Sequence, residues 1–149
     1  MQADTEYITL AVSAAIHNSE GKEEEKRLMS ENTPRRLDIY MADLPRRGGS
    51  IQCGYRPVIV IQNDKGNESS STVIIIPLTS KVKHWMPTHA IIGTHTGIEK
   101  ESVALCEQIQ TIHMSQLVRK VAEITDRDDI EVLTGAIMSA LGIESSSEN

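Results

Sequence analysis

The feature that most limits what this chain can become is a pair of β-branched runs, Pro57-Val58-Ile59-Val60-Ile61 and Thr72-Val73-Ile74-Ile75-Ile76-Pro77-Leu78. Between them lies Asn63-Asp64-Lys65-Gly66-Asn67, whose Asn, Asp and Gly supply turn chemistry. Side chains branched at Cβ are stiff and fit a pleated, buried surface better than a helix. Strands of this kind need neighbours, and the flanking sequence provides them. Leu37–Leu44 is a first candidate, followed by the turn-rich Pro45-Arg46-Arg47-Gly48-Gly49-Ser50, and Thr88–Ile92 and Ser102–Ile112 are further ones. Short strands divided by Gly, Asn and Ser turns indicate a small barrel or sandwich. Pro77 has no N–H to give a ladder, which points to a strand that lies at an edge or ends in a bulge there. A short helical turn around Met114–Val118 is expected to link the last two strands.

The chain then ends on a helix. Thr125-Asp126-Arg127-Asp128 carries a Thr-x-x-acid start, Asp126, Asp128 and Asp129 sit where the positive end of a helix dipole favours them, and Gly142 is a stop. Ile130, Leu133, Ala136, Ile137, Ala140 and Leu141 form one apolar stripe for packing on the strands or on a partner.

With 149 residues the chain has room for one domain and a short appendage. Residues 1–33 read as that appendage: Ile8, Val12, Ala15 and Ile16 recur at helical spacing, and the charged run Glu23–Arg27 is poor core sequence. The expected division is a charged extension over 1–33, partly helical or disordered, a barrel domain over 34–143 and a flexible tail over 144–149. No apolar run approaches the ~18–20 residues of a membrane span, and Met1–Glu6 holds Asp4 and Glu6 with no Lys or Arg, unlike a secretory signal. A cytoplasmic protein is expected. Cys53 and Cys106 are too few for a disulfide scaffold and read as free thiols.

The net charge of −6 argues at first against a nucleic-acid partner, but it is unevenly spread. Residues 1–33 carry −4, residues 34–121 carry +4 and residues 122–149 carry −6. Arg35, Arg36, Arg46, Arg47 and Arg56 are opposed locally only by Asp38 and Asp43. That surplus suits a phosphate backbone and equally a solvated face. Other chemistries find no support. His17, His84, His89, His95 and His113 fall at no metal-ligand spacing, there is no Gly-x-Ser-x-Gly elbow, and no phosphate-binding glycine loop is present. With no Phe, one Trp and three Tyr, an aromatic RNA-stacking sheet cannot be built; Trp85 caps a core or stacks one base.

What remains is the polar loop Gly48-Gly49-Ser50-Ile51-Gln52-Cys53-Gly54-Tyr55-Arg56-Pro57. Together with Asp38-Ile39-Tyr40, Ala42-Asp43-Leu44, Ile61-Gln62-Asn63-Asp64, Gly66-Asn67, Pro77-Leu78-Thr79-Ser80-Lys81, Met86-Pro87-Thr88-His89, Ser102–Ile109 and Thr111-Ile112, it resembles the MazF/PemK toxins of type II toxin–antitoxin systems. The resemblance runs in order over about Arg35–Leu141. It implies an SH3-like β-barrel with a C-terminal helix, a homodimer, and metal-independent, sequence-specific cleavage of single-stranded RNA with no cofactor. It also implies a MazE-like antitoxin whose C-terminal segment occupies the dimer groove. Carried over by motif, Arg56 and Thr79 are the catalytic pair, and Ser50, Gln52, Ser80, Lys81, Glu107 and Gln108 hold RNA.

Four positions depart from the family pattern. Leu37 and Cys53 stand where glycine is usual, Ile51 where an acid is, and Gln110 where an arginine is. Two other readings stay open: a catalytically weak member that binds antitoxin or regulates, and a gyrase-inhibiting relative of the same fold. At residue level, the plain alternative is that Arg56 pairs with Asp64 or Glu107 and that Thr79 is an ordinary strand residue.

Overall fold

The computed structural model describes residues 19–82 and 84–144. The helical repeat expected at Ile8, Val12, Ala15 and Ile16, and the tail beyond Glu144, lie outside the described residues. The chain forms two compact units, Met1–Thr33 and Pro34–Asn149. In the first, helix α1 (Ser19–Asn32) runs through the Glu23–Arg27 segment that its charge marks as solvated tail. The charges themselves favour the helix: Arg27 meets Glu24 at 2.6 Å one turn back and approaches Glu31 one turn on.

The second unit is mainly antiparallel sheet with a C-terminal helix, as expected. Strand β1 (Asp38–Leu44) lies between β2 (Gly54–Val60) and β7 (Leu117–Glu123), and β2 pairs in turn with β3 (Thr72–Thr79). The far edge of β3 takes two partners in succession, β6 (Gln110–His113) and then β5 (Ser102–Leu105), and β4 (His89–Ile92) completes the sheet beside β5. The hydrogen-bonded path is β4-β5-β3-β2-β1-β7, with β6 beside β3, so β4 and β7 are its two open ends.

This double pairing corrects two expectations. Ser102–Ile112 is not one strand, because a 3-10 turn at Cys106–Gln108 divides it. Pro77 lies neither on an edge strand nor at the end of one: it is fully buried, opposite Val58 of β2. Its missing N–H costs little there, since β6 pairs with β3 only through Ile75 and β5 only from Leu78. Two local readings also change. The Asn63–Asn67 turn becomes a short helix, α2 (Asp64–Ser69), whose N-cap Asn63 accepts from the Gly66 amide at 2.8 Å. The helical turn near Met114 is a 3-10 turn over Met114–Gln116, and it leads directly into β7, a strand whose mostly exposed residues hide it from any apolar pattern.

Leu37 precedes β1 with φ +75°, in the left-handed region that costs a β-carbon-bearing residue about 1–2 kcal/mol. Glycine would sit there freely. Its amide nevertheless donates to the Val60 carbonyl at 2.7 Å and its carbonyl accepts from the Ile124 amide at 3.0 Å, so tertiary bonds hold the strained residue in place.

Two apolar clusters share the sheet. One joins Ile39, Ile59, Ile76, Leu78, Ile92 and Cys106 to helix α3 (Arg127–Leu141); the other gathers Val58, Val60, Val73, Ile75 and Ile112. Helix α3 starts one residue later than its Thr-x-x-acid signal, with Asp126 as N-cap accepting from the amides of Asp128 and Asp129. Gly142, at φ +67°, stops it as expected. Leu133 and Ala136 carry the docking stripe, whereas Leu141 at its end is 52% exposed. No helix among the described residues is long and apolar enough to cross a membrane.

Candidate active site

The β2–β3 ladder places Val58 opposite Pro77, and two residues further along each strand stand Arg56 and Thr79. Both line a groove of about 710 Å³, together with Ser80 and Lys81. Its far side is formed by Lys100 and by Arg119 and Lys120 of β7.

Arg56 is held from behind. Its Nε donates to the Cys53 carbonyl at 2.9 Å and its Nη1 to the Gln52 side-chain oxygen. Two of the guanidinium's five N–H groups are thereby used, and three on Nη1 and Nη2 remain for a ligand. Gln52 is fixed in turn by Gln108: the Gln108 side-chain oxygen accepts from the Gln52 amide at 2.8 Å, and its Nε2 donates to the Ser50 carbonyl at 3.0 Å. Ser50, Gln52 and Gln108 thus form a support that sets the arginine's orientation, and none of the three lines the groove itself. Thr79 is half-buried. Its hydroxyl accepts from the Lys81 amide at 3.2 Å and lies 3.3 Å from the Lys81 carbonyl, long contacts that a better acceptor can replace.

Glu107 is not brought to the groove. Its carboxylate accepts from the Thr88 hydroxyl at 2.9 Å and meets His89 Nε2 at 3.1 Å. His89 is buried and accepts the Met86 amide on Nδ1, so its proton sits on Nε2 and points at Glu107. Glu107 therefore ties the loop before β4 to the turn after β5. Asp64 is engaged elsewhere too, accepting from the Arg36 amide at 2.7 Å. Neither carboxylate pairs with Arg56, which removes the plain structural reading of that arginine. Beside Glu107, burial and that neighbouring charge push the Cys106 thiol up to about 12. Cys53 stands partly exposed in the supporting loop, and both cysteines are free.

The cationic wall was missed in the sequence, because Arg119 and Lys120 belong to the strand that the apolar pattern does not reveal. Lys120 is occupied, bridging Asp38 at 3.1 Å and Glu123 at 3.0 Å, contacts that hold its pKa above the ordinary lysine value with the Glu123 bond as the largest cause. Lys81, Lys100 and Arg119 make no ion pair among the described residues. Nor do the described residues gather three His, Cys, Asp or Glu side chains that could hold a metal.

Residues 35–141 match the family of PemK-like, MazF-like toxins of type II toxin–antitoxin systems. The chain belongs to this PemK/MazF family. An endoribonuclease MazF of Staphylococcus saprophyticus is 42% identical over 111 residues, covering 73% of this chain and 92% of that protein. Among solved structures, MazF of Deinococcus radiodurans superposes with a TM-score of 0.64 at 22% identity, over 74% of this chain and 97% of its own. A mycobacterial endoribonuclease in complex with its cognate antitoxin gives a TM-score of 0.61 at 22% identity, over 76% of this chain and 98% of its own. These two likenesses show that the fold is the MazF fold.

The arginine support forms with Ile51 and Cys53 in the loop. Cys53 contributes a carbonyl, which any residue supplies, and Ile51 is 43% exposed at the loop's tip. Gln110 lies against the same support, its Nε2 3.4 Å from the Gln108 carbonyl, while its side-chain oxygen is buried without a partner among the described residues.

Proposed function

We propose that this PemK/MazF toxin cleaves single-stranded RNA as an endoribonuclease, using the 2′-OH next to the scissile phosphate as nucleophile. The observation that carries this reading is the convergence of Arg56 and Thr79, at matched positions on adjacent strands, in one basic groove. The family and the 42% identical endoribonuclease MazF support the substrate class. Attack by the 2′-OH forms the cyclic phosphate as the bond to the 5′-oxygen breaks, the 2′-hydroxyl proton passing to solvent and the leaving oxygen taking one from solvent, and negative charge grows on the non-bridging phosphate oxygens. The free Nη donors of Arg56, fixed beforehand by Gln52 and Cys53, meet that charge at no reorganisation cost, and the Thr79 hydroxyl adds a neutral donor. Ser80 and Lys81 hold the flanking RNA from the groove, whereas Ser50, Gln52 and Gln108 act through Arg56. RNA incubated with the full chain in excess EDTA should yield 2′,3′-cyclic phosphate and 5′-hydroxyl ends. Loss of cleavage on adding EDTA, or 5′-phosphate products, contradicts this chemistry.

In the same reading, residues 34–143 are the functional module, 1–33 are an appendage, and the protein works in the cytoplasm under a MazE-like antitoxin. The mycobacterial relative solved with its cognate antitoxin supports that partner. A homodimer also belongs to it. The open sheet ends and the exposed apolar side chains of Ile91, Val132 and Leu141 offer surface to a two-fold mate. Sedimentation at micromolar concentration should give a species of about 33 kDa, twice the 16.5 kDa chain; a lone 16.5 kDa boundary contradicts the dimer.

A further inference from the structure

We propose that Lys100 and Arg119 form a second phosphate-binding position in the Arg56–Thr79 groove, holding the RNA backbone beyond the scissile phosphate. The proposal rests on the nuclease reading above and deepens it. Neither residue belongs to the motifs that mark the family; they are found only by tracing the groove wall.

Three observations carry it. The first is placement. Arg119 of β7 stands opposite Met41 of β1, and Met41 stands opposite Pro57 of β2, the neighbour of Arg56. The backbones of Arg119 and Pro57 are therefore two strand spacings apart, about 10 Å, with Met41 as the floor between them. Arg56 and Arg119 both line the groove that this floor borders. The second is charge. Lys81, Lys100 and Arg119 line the groove with Arg56, against Glu99 as the only acid in the wall among the described residues. Lys120, the remaining cation, is neutralised by Asp38 and Glu123. The third is availability: Lys100 and Arg119 make no ion pair among the described residues, so a phosphate would not have to displace a carboxylate. An extended polyanion satisfies these conditions, and a second phosphate pinned across the floor would fix the direction in which RNA crosses the Arg56–Thr79 pair.

Each phosphate contact with a single strand contributes about 0.7 to the slope of log affinity against log salt concentration. The experiment measures that slope for the full chain with a single-stranded oligoribonucleotide whose nucleotide at the cleavage position is 2′-deoxy and cannot react. Lys100→Ala and Arg119→Ala should each flatten the slope, and the double variant, which loses the one phosphate the pair holds, should flatten it by about 0.7. Arg119→Lys, which keeps the charge, should restore it. In cleavage assays the two alanine variants should raise KM with kcat nearly unchanged, as expected for uniform binding to ground and transition states. Wild-type cleavage and wild-type slopes in both alanine variants would overturn this proposal alone. Loss of antitoxin binding with unchanged RNA slopes would also overturn it, assigning the wall to a protein partner. A wild-type chain that neither binds nor cleaves RNA would overturn the nuclease reading and this position together.

Discussion

Arg56→Ala should cut kcat for RNA cleavage by about a thousandfold, roughly 4 kcal/mol of transition-state stabilisation. The size follows from what the side chain does not have to do at the moment of reaction. Its Nε and one Nη1 hydrogen are already committed to the Cys53 carbonyl and the Gln52 side chain, so the free donors point one way before substrate arrives. Alanine removes both the charge and this preset direction. Arg56→Lys should recover little, because an ammonium lacks the planar fork that bonds the loop and a phosphate together. Gln108→Ala separates support from contact. If Gln108 acts through Gln52 on Arg56, its loss lowers kcat about tenfold, roughly 1.4 kcal/mol, with KM nearly constant; a rise in KM alone would place Gln108 directly on the RNA. Arg56→Ala with near wild-type turnover would refute the assignment of the arginine.

The second large effect is on stability. Leu133→Ala should destabilise the fold by about 2–5 kcal/mol, a large share of the ~5–15 kcal/mol that typical domains possess. Leu133 is 1% exposed and is the largest side chain that α3 buries in the cluster with Ile39, Ile59, Ile76 and Leu78. Ser139 of the same helix is exposed and outside the surface assigned to the dimer, so Ser139→Ala serves as the control with little change. Urea unfolding followed by circular dichroism measures both. Equal midpoints for Leu133→Ala and wild type would mean that α3 does not dock through this residue.

How much of this was legible in the sequence varies with the physical signal each element sends. Strands β2 and β3 announce themselves because they are buried on both faces, and α3 because its stripe and its Asp126 and Gly142 caps agree. Strand β7 sends no such signal: it lies at an end of the sheet and carries Val118, Arg119 and Lys120 toward solvent. The groove's second wall was invisible for the same reason. Arg56 and Thr79 were legible only through family resemblance, since no local pattern tells a groove arginine from a solvated one. The same resemblance set Glu107 beside Gln108 as an RNA ligand. Adjacent in sequence, they diverge in space, because the 3-10 turn at Cys106–Gln108 sends Glu107 to His89 and Gln108 to the loop. Leu37 runs the other way. The unusual loss of a glycine was visible in the sequence, and its meaning, a strained φ held by Val60 and Ile124, needed the backbone.

The two thiols differ in a way that matters to anyone wishing to watch this toxin work. Cys106 is sealed in the core with its pKa pushed up to about 12, so it is almost wholly in the unreactive protonated form at neutral pH. Cys53 is the partly exposed one, and its own carbonyl receives the Arg56 Nε. The native chain thus carries a single accessible attachment point one hydrogen bond from the arginine, where a small environment-sensitive dye would report loop motion without any engineered cysteine.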